Sequence, residues 1–455
     1  MKTKTRFHKL TAWLLTVAML MTFIPSFMLF TVSAAGVADT WDGNAASVAC
    51  TSGTGTESDP YIIDTAEQLA KLALLVRAGN NYAGKYFKLN SDLDLDGKEW
   101  TPIGQYSYTS FQGIFDGNNK KITNLSISGD DSNIGLFAYI ETGGSVYNLA
   151  VSGTVTNKRN YAHTGGIVGN FSGYKIENCS FSGNVTCSGT NGSVGGIVGT
   201  VSGSALINAC FTTGTVTAIG TTNQDYAGGI VGQISPGQKV YNCYSSATVK
   251  SGNSSYAGGI AGFAANATSQ VISCLAVGSP TTIVGFRGWG SDINCFSNTT
   301  ANATKIKNGE IAYKLSQGYS SGDISVDGSI WGQTIGIDEY PNFTGLTVYY
   351  DGTKYYNIIP ELALTLTTSD VTIENLFEDA VLVVASYKNK APVDVKTIHV
   401  SGDCIISISS IGLDVSDYHE LKAFLWKDLT NILPLCEGVV YDKTGAFDGE
   451  EITIS

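Results

Sequence analysis

A five-residue segment, Gly165-Gly166-Ile167-Val168-Gly169, recurs along the middle of the chain. The same residues return at Gly195–Gly199 and Gly228–Gly232, and Gly258–Gly262 differs only by an alanine in the fourth place. Successive copies begin 30, 33 and 30 residues apart. A nearly fixed period of this length is the signature of a repeat architecture in which each unit forms one layer.

Each unit also contains a second recurring segment, which reads Asn178-Cys179-Ser180-Phe181-Ser182-Gly183 in the first full unit. Earlier copies place Leu125 and Leu149 where the later ones have cysteine. The segments alternate apolar with polar residues and are rich in Val, Ile, Thr and aromatics, which is typical of short β-strands. The cysteine position is occupied in four units by Cys179, Cys210, Cys243 and Cys274.

Strands of a few residues cannot bury their apolar faces alone, so successive units must stack at about 4.8 Å. The sequence therefore predicts an all-β fold whose main part is a parallel β-helix, or β-solenoid. Glycine, with 53 of 455 residues, is expected where a corner needs positive φ or where coils approach too closely for a side chain. The amphipathic segment Asp64–Gly79 predicts a short capping helix with Asp64 as N-cap.

The N-terminus predicts an export signal. Basic residues from Lys2 to Lys9 precede an apolar run, and Val32-Ser33-Ala34 supplies a cleavage site, with an uncleaved anchor as the alternative. Alternating apolar runs replace the glycine repeat near the C-terminus and predict a small β-sandwich domain. The expected organisation is a signal peptide at 1–34, an N-terminal cap and first coils at 35–105, repeats at 106–300, a C-terminal cap and linker at 301–356, and the sandwich at 357–455.

The formal net charge of -12 argues against nucleic acid or an anionic membrane as partner. Loss of the basic signal peptide makes the chain more acidic still. No second apolar stretch of about 18 residues follows, so we expect no membrane insertion after cleavage. The expected location is extracellular, secreted or associated with the cell surface, and the expected partner is a glycan or a protein surface.

The Gly-Ile-Val-Gly cores resemble the GLUG motif of secreted and surface bacterial proteins. The flanks resemble that family too, at Trp100-Thr101-Pro102-Ile103-Gly104 and Trp331-Gly332-Gln333-Thr334-Ile335-Gly336, so the resemblance covers roughly residues 53 to 350. It implies a parallel β-helix, surface exposure and binding, and it carries no catalytic residues across. Separately, Leu421–Leu429 with Pro434-Leu435 resembles the end of a β-sandwich module found on secreted clostridial proteins, which implies a spacer or accessory role.

No catalytic or metal-binding constellation is visible. Glu177 and Asp225 lie in separate repeats, which disfavours a paired acid and base, and the histidines fit no zinc or triad pattern. The acids at Asp92, Asp94 and Asp96 imitate a calcium loop, but its twelfth place lacks the required Glu. We therefore expect no catalytic residue, no metal and no cofactor.

The four repeat cysteines are predicted to form a buried, mostly reduced ladder, because leucine replaces cysteine in earlier copies and the site therefore accepts an apolar group. Disulfides between adjacent coils remain an alternative, since stacked strands bring Cα atoms near the required distance. Cys404 and Cys436 could pair within the second domain.

Binding is predicted on the connections that change between repeats, because such insertions project from one side of a solenoid. They carry aromatic and polar residues suited to sugar rings or protein surfaces. The alternative for Tyr226 and Tyr256 is a purely structural ladder, with His163 and Ser193 in the same position elsewhere. The candidate binding residues are Arg159, Tyr161, His163, Asp225, Tyr226 and Tyr256.

These features favour a non-enzymatic, adhesin-like repeat protein that binds glycan or protein. A structural stalk or spacer is the second hypothesis, and a β-helix enzyme acting on polysaccharide is the third. A fourth arises because Thr154-Val155-Thr156 and Thr215-Val216-Thr217 resemble the threonine rows of ice-binding solenoids, although Asn184 and Lys250 interrupt the rows.

Overall fold

The computed structural model describes residues 39–427 and 439–442, apart from 51, 223, 289–291, 323, 358–362, 375, 377–379, 390 and 402–403. The predicted signal peptide lies outside the described residues. The chain divides into two compact units, with the division between residues 358 and 359.

The first unit is a parallel β-solenoid, as the sequence predicted. The strands of its coils belong to three parallel sheets of 15, 6 and 5 strands, here called the long, second and third sheets. Each coil of the repeat region contributes to all three, and every strand pairs in parallel with the equivalent strand of the next coil.

The long sheet contains Asp39–Thr40, Tyr61–Ile63, Tyr86–Leu89, Leu93–Asp94, Ile114–Gly129, Ser145–Asn157, Lys175–Cys187, Leu206–Asn208, Phe211–Ala218, Lys239–Tyr241, Tyr244–Ser245, Thr248–Ser251, Gln270–Ile272, Leu275–Ala276 and Phe296–Ser297. The second contains Phe137–Ile140, Val168–Phe171, Val198–Val201, Val231–Ile234, Ala261–Ala264 and Val284–Arg287. The third contains Asn133–Ile134, His163–Gly165, Ser193–Gly195, Tyr226–Gly228 and Ala257–Gly258.

The core runs along the inside of the coils. Val168 pairs in register with Val198, and Val198 with Val231, so one repeat position builds one apolar column. The preceding isoleucine is fully buried in every repeat. Because burying each such side chain contributes about 1.5 to 3 kcal/mol, the repeated Ile-Val pair supplies the same stabilisation to each coil.

The paired glycines form a corner between the third and second sheets. None of these glycines adopts the left-handed conformation, so the first of the two predicted reasons for glycine does not apply here. A Cβ on Gly195 would lie 1.9 Å from the Val198 carbonyl oxygen, and one on Gly229 would lie 2.0 Å from that of Gly259. The close approach of backbone to backbone is therefore what requires glycine at this corner.

A helix, α1 (Ala66–Arg77), covers the first coils as predicted, but its N-cap is Thr65 rather than Asp64. The Thr65 hydroxyl accepts a bond from the Gln68 amide at 3.3 Å, and the Gln68 side chain accepts one from the Thr65 amide at 3.3 Å. This capping box explains the shift, because Gln68 stands three residues after Thr65. Leu69 and Leu72 are fully buried in the solenoid core.

After the last coils come two helices, α2 (Thr300–Lys307) and α3 (Glu310–Ser316), and two antiparallel hairpins. Trp331 packs there with Ile306 and Ile311 against Leu275, in a cluster separate from the solenoid core. Leu275 is in register with Tyr244, so this segment covers the outer face of the long sheet at its last coils. The hairpin strands are Tyr319–Ser321 with Ile324–Val326, and Val348–Tyr350 with Tyr355–Asn357.

The second unit is an antiparallel β-sandwich. Leu364 and Val371 from one sheet share a core with Leu382, Leu421 and Leu425 from the other. One sheet contains Ala363–Leu366, Asp370–Glu374 and Cys404–Ser407, and the other contains Ala380–Lys388, Ala391–Val400, Glu420–Trp426 and Val439–Asp442. Residues Pro434, Leu435 and Cys436, on which part of the predicted resemblance and the possible pairing with Cys404 depend, lie outside the described residues.

Candidate functional site

The repeat cysteines lie inside the coils as an apolar column. All four are at most 1% exposed and carry free thiols. The Cys243 Sγ donates to the carbonyl oxygen of Tyr241 at 3.1 Å, and burial raises the pKa of the Cys243 thiol. A fifth member, Cys295, continues the column, since the Cys274 amide donates to its Sγ at 3.4 Å. Cys295 follows Cys274 by only 21 residues, so the regular period did not reveal it.

The two leucines that suggested the column, Leu125 and Leu149, differ in their register with the next coil. Leu149 pairs in register with Cys179, as predicted, whereas Leu125 pairs with Gly153. Register shifts in the strand Ile114–Gly129 displace Leu125 along the coil, and Lys120 pairs with Leu149 instead. Leucine thus replaces cysteine in one earlier copy rather than two.

The variable connections stack on one side of the solenoid, between the long and third sheets. The Ser188 amide donates to the Asn157 carbonyl at 2.8 Å, and the Ile219 amide donates to that of Cys187 at 2.8 Å. Tyr161 is 67% exposed and Arg159 is also exposed. These two predicted binding residues therefore face solvent.

Asp225, another of the predicted binding residues, does not face solvent. Its side chain is fully buried, and its carboxylate accepts bonds from the Gly192 amide at 3.2 Å and from the Thr222 amide and hydroxyl at 2.5 Å. A buried carboxylate must be satisfied by such donors. Asp225 therefore closes its own connection and anchors it to the previous coil.

His163 lies in the third sheet rather than in a loop. Its Nδ1 is 2.7 Å from the Thr200 hydroxyl of the next coil, and burial lowers the pKa of the imidazole to about 4. One coil further on, the Ser193 hydroxyl donates to the Gln233 side chain at 3.2 Å. The same diagonal contact, from the third sheet to the second sheet of the next coil, is thus polar in both places.

In the following coils this diagonal contact becomes aromatic. The rings of Tyr226 and Phe263 stack at 4.6 Å with an interplanar angle of 16°, and those of Tyr256 and Phe286 lie 5.2 Å apart. Tyr226 also contacts Tyr256 at 5.5 Å, so the four rings form one cluster. Three of the residues are partly exposed and Phe286 is 43% exposed. We call these four residues the aromatic strip.

Phe263 and Phe286 were missed because they follow the glycine corner, outside the variable connections. The signal that could have found them is the outward position of the second sheet. In register it reads Tyr139, Asn170, Thr200, Gln233, Phe263 and Phe286, and so it becomes aromatic in the last two coils.

A groove of about 370 Å³ lies on the outer face of the long sheet. Ala150, Ser180, Phe211 and Tyr244 occupy one outward position in four successive coils and line this groove. Asn148 and Asn178 line it from the adjacent corner. We call it the asparagine groove. Sequence reasoning missed it, although the residue after each cysteine position already changes from small to aromatic.

The threonine rows lie further along the same face. Thr154 pairs with Asn184 and Asn184 with Thr215, while Thr217 pairs with Lys250. The interruptions expected from the sequence therefore fall within the rows. The face is rich in hydroxyl groups but is not a uniform threonine array.

Carboxylates near these surfaces are bound by neighbouring side chains. Glu177 forms an ion pair with Lys175 at 2.6 Å and accepts a bond from Asn208 at 2.9 Å. In the part of the chain that the structure describes, no group of three His, Cys, Asp or Glu side chains could hold a metal ion. In the same residues, no helix is long and apolar enough to cross a membrane.

The fold and these surfaces define a β-solenoid repeat protein with partly exposed aromatic side chains on two sides. Residues 160–186 match the family model described as the GLUG motif. This confirms the resemblance inferred from the repeats. The matched segment contains the first Gly-Gly-Ile-Val-Gly copy and the strand that begins at Lys175.

Two relatives match about a quarter of the chain. A protein of Evansella cellulosilytica named as a Gly-rich membrane protein is 36% identical over 138 residues, which are 28% of this chain and 15% of the relative. Halomucin of Haloquadratum walsbyi is 30% identical over 132 residues, which are 27% of this chain and 1% of halomucin. The chain thus spans only a small part of either relative.

Among solved structures, a Bacteroides ovatus protein described as an immunoglobulin A1 protease superposes with a TM-score of 0.43 at 20% identity. The superposition covers 65% of this chain and 95% of that protein. A similarity at this level carries no argument about function.

Proposed function

We propose that this chain is a secreted or cell-surface, non-enzymatic repeat protein that binds an extracellular glycan or protein in an adhesin-like manner. The observation that carries the proposal is the aromatic strip. It is formed by positions whose counterparts in earlier coils are polar, namely His163, Thr200, Ser193 and Gln233.

The strip is not required to build a coil, because the preceding coils fold in the same register with polar side chains at these positions. Large rings that remain partly exposed lose contact with water only when a partner covers them. Exposed aromatic clusters with polar surroundings are typical of ligand and protein contact sites. The variable connection that ends at Tyr226 lies next to the strip and supplies such surroundings.

An extracellular location is supported by the N-terminal export pattern and by the names of the relatives, one a membrane protein and one a halomucin. The stalk and the polysaccharide-active enzyme remain the alternatives. A stalk needs no exposed aromatic cluster. A glycoside hydrolase needs a pair of available carboxylates, whereas the Glu177 and Asp225 carboxylates are both held by their neighbours.

The test replaces strip residues with those that the neighbouring coil has at the same positions. The double variant is Tyr226→Ser with Phe263→Gln. Its new residues copy Ser193 and Gln233, which hold the same register positions in the preceding coil. Tyr174→Ser is the matched control, since Tyr174 is 67% exposed and lies outside the strip. Binding of the full chain to glycan and extracellular-matrix arrays is measured together with the melting temperature.

The proposal expects a loss of binding of about tenfold or more in the double variant, which corresponds to about 1.4 kcal/mol, and little change in the control. The melting temperature should stay within a few degrees of the parent. Unchanged binding with a markedly lower melting temperature would show that the strip is scaffold. Absence of binding by the parent chain on both arrays would favour the stalk.

A further inference from the structure

The asparagine groove is a second surface, on the long sheet, and it ends at an aromatic wall. Phe211 and Tyr244 stack with ring centroids 4.9 Å apart and an interplanar angle of 14°. This distance matches the spacing of about 4.8 Å between neighbouring strands, so the rings lie one above the other along the solenoid. Tyr244 therefore covers one face of the Phe211 ring.

The opposite face of Phe211 looks over Ser180 and then Ala150, which hold the same position in the two preceding coils. Neither side chain is large enough to cover a ring. The two strand steps leave a space of roughly 9 to 10 Å along the solenoid. The groove volume of about 370 Å³ lies within the range of small-ligand sites.

The margins of the groove are nearly uncharged, and besides the two asparagines they include the ring of Phe343 between Asn342 and Thr344. The Asn178 side-chain amide donates to that of Asn148 at 2.8 Å, and the Asn148 amide donates to Asp116 at 3.2 Å. Each amide has two donor hydrogens and an acceptor oxygen, so each keeps capacity for a further partner. Among the described residues that line the groove, Lys121 is the single charged one.

The geometry points to a saccharide subsite, in which one ring of a neutral oligosaccharide stacks on the open face of Phe211 beside Asn148 and Asn178. A pyranose ring has an apolar C–H face and an edge of hydroxyl groups that both donate and accept. An aromatic face flanked by amides complements both features. The absence of a carboxylate among the lining residues fits an uncharged ligand.

A peptide is less well accommodated. Peptides commonly bind a sheet by adding a strand to a free edge. Here the strand Lys175–Cys187 is paired on both sides, with Ser145–Asn157 and Phe211–Ala218, so no edge is available at the groove. The site is separate from the aromatic strip, and its test does not depend on the function proposed for the strip.

The decisive variant is Ser180→Phe, which extends the aromatic stack by one coil and fills the space that the sugar ring would occupy. The coil accepts phenylalanine at this position, as Phe211 shows in the next unit. Phe211→Ser removes the stacking wall. Thr186→Phe is the matched control, because Thr186 faces outward on the same strand and does not line the groove.

The full chain and these variants are measured on an array of neutral hexose and N-acetylhexosamine oligosaccharides, with proline-rich and aromatic peptides alongside. The inference expects the parent to bind at least one neutral oligosaccharide. Ser180→Phe and Phe211→Ser should weaken this binding about tenfold or more, while Thr186→Phe should bind like the parent. The strip variant Tyr226→Ser with Phe263→Gln should retain it, which separates the two sites.

The inference is overturned if no neutral oligosaccharide binds, if Ser180→Phe binds as well as the parent, or if the peptides alone compete for the groove. Thermal melting of each variant accompanies the array. If Phe211→Ser unfolds, Ser180→Phe still decides the question, because it adds packing to the aromatic stack rather than removing it.

Discussion

Each coil of the repeat region has two corners that restrict the residue for different physical reasons. At the glycine corner, Gly195 and Gly229 have ordinary backbone conformations, and a Cβ would collide with backbone atoms at about 2 Å. At the asparagine corner, which precedes each cysteine, Asn178 and Asn242 have φ values of 51° and 50°. There the backbone is left-handed and a side chain has room.

The glycine corner therefore restricts the size of the side chain, whereas the asparagine corner restricts the backbone conformation. Only glycine fits where two backbones meet, whereas a left-handed corner accepts asparagine readily and other residues at a cost. Ala209 and Ser273 occupy the asparagine corner in two coils with φ values of 52° and 55°. The asparagine corner therefore tolerates substitution that the glycine corner should not.

The largest expected effect is at the glycine corner. Gly229→Ala places a methyl group 2.0 Å from the Gly259 carbonyl oxygen and 2.2 Å from the Ser245 hydroxyl. Since the backbone of the neighbouring coil would have to shift to make room, we expect a loss of about 3 kcal/mol in the free energy of unfolding. Urea denaturation measures it.

The control for Gly229→Ala is Gly237→Asn. Gly237 has a left-handed φ of 82° and open space where a Cβ would lie, so asparagine should cost little there. A loss in Gly229→Ala no larger than that in Gly237→Asn would show that the close approach of the two backbones does not set the cost at the glycine corner.

The next effect concerns Cys243, which follows the asparagine corner and points into the core. Cys243→Ser places a hydroxyl in an apolar column and should cost about 1 to 3 kcal/mol, whereas Cys243→Val should cost less. Denaturation of both variants gives the comparison. A serine variant as stable as the valine variant would mean that the Tyr241 carbonyl, 3.1 Å from the sulfur, satisfies the hydroxyl fully.

A pH effect is expected from His163, which lies two residues before its glycine corner. Burial lowers the pKa of the folded imidazole from 6.5 to about 4. The unfolded chain therefore takes up the proton first, and stability falls as the pH drops from about 6.5 towards 4. In His163→Asn this loss should be smaller by about 2 kcal/mol.

Unfolding of the parent and of His163→Asn is compared at pH 7, 5.5 and 4.5. Asparagine suits the position because Asn133 occupies it in the preceding coil. Parallel stability curves for the two proteins would contradict the shifted pKa and indicate that His163 is exposed to solvent.

The solenoid, the parallel direction of its strands and the inward cysteines could be predicted from the sequence, because equivalent residues of successive repeats stack at the same position in each coil. Residues that depart from the regular period could not be placed in this way, as Cys295 and the displaced Leu125 show. The binding surfaces were harder to predict. Tyr226 contacts Phe263 across two sheets, and the space beside Phe211 depends on small residues in other coils.

The smallest effect would be a gain in stability at the asparagine corner. Ala209 has the left-handed conformation that asparagine adopts at Asn148 and Asn178 in the preceding coils. Ala209→Asn should relieve this strain and extend the amide ladder, in which Asn178 donates to Asn148 at 2.8 Å. We expect about 0.5 to 1 kcal/mol of added stability. Ala209→Gly relieves only the strain and adds no amide. Its gain in stability should be smaller than that of the asparagine variant, because glycine also loses more chain entropy on folding. A melting temperature below that of the parent for Ala209→Asn would show that this corner, too, is limited by space.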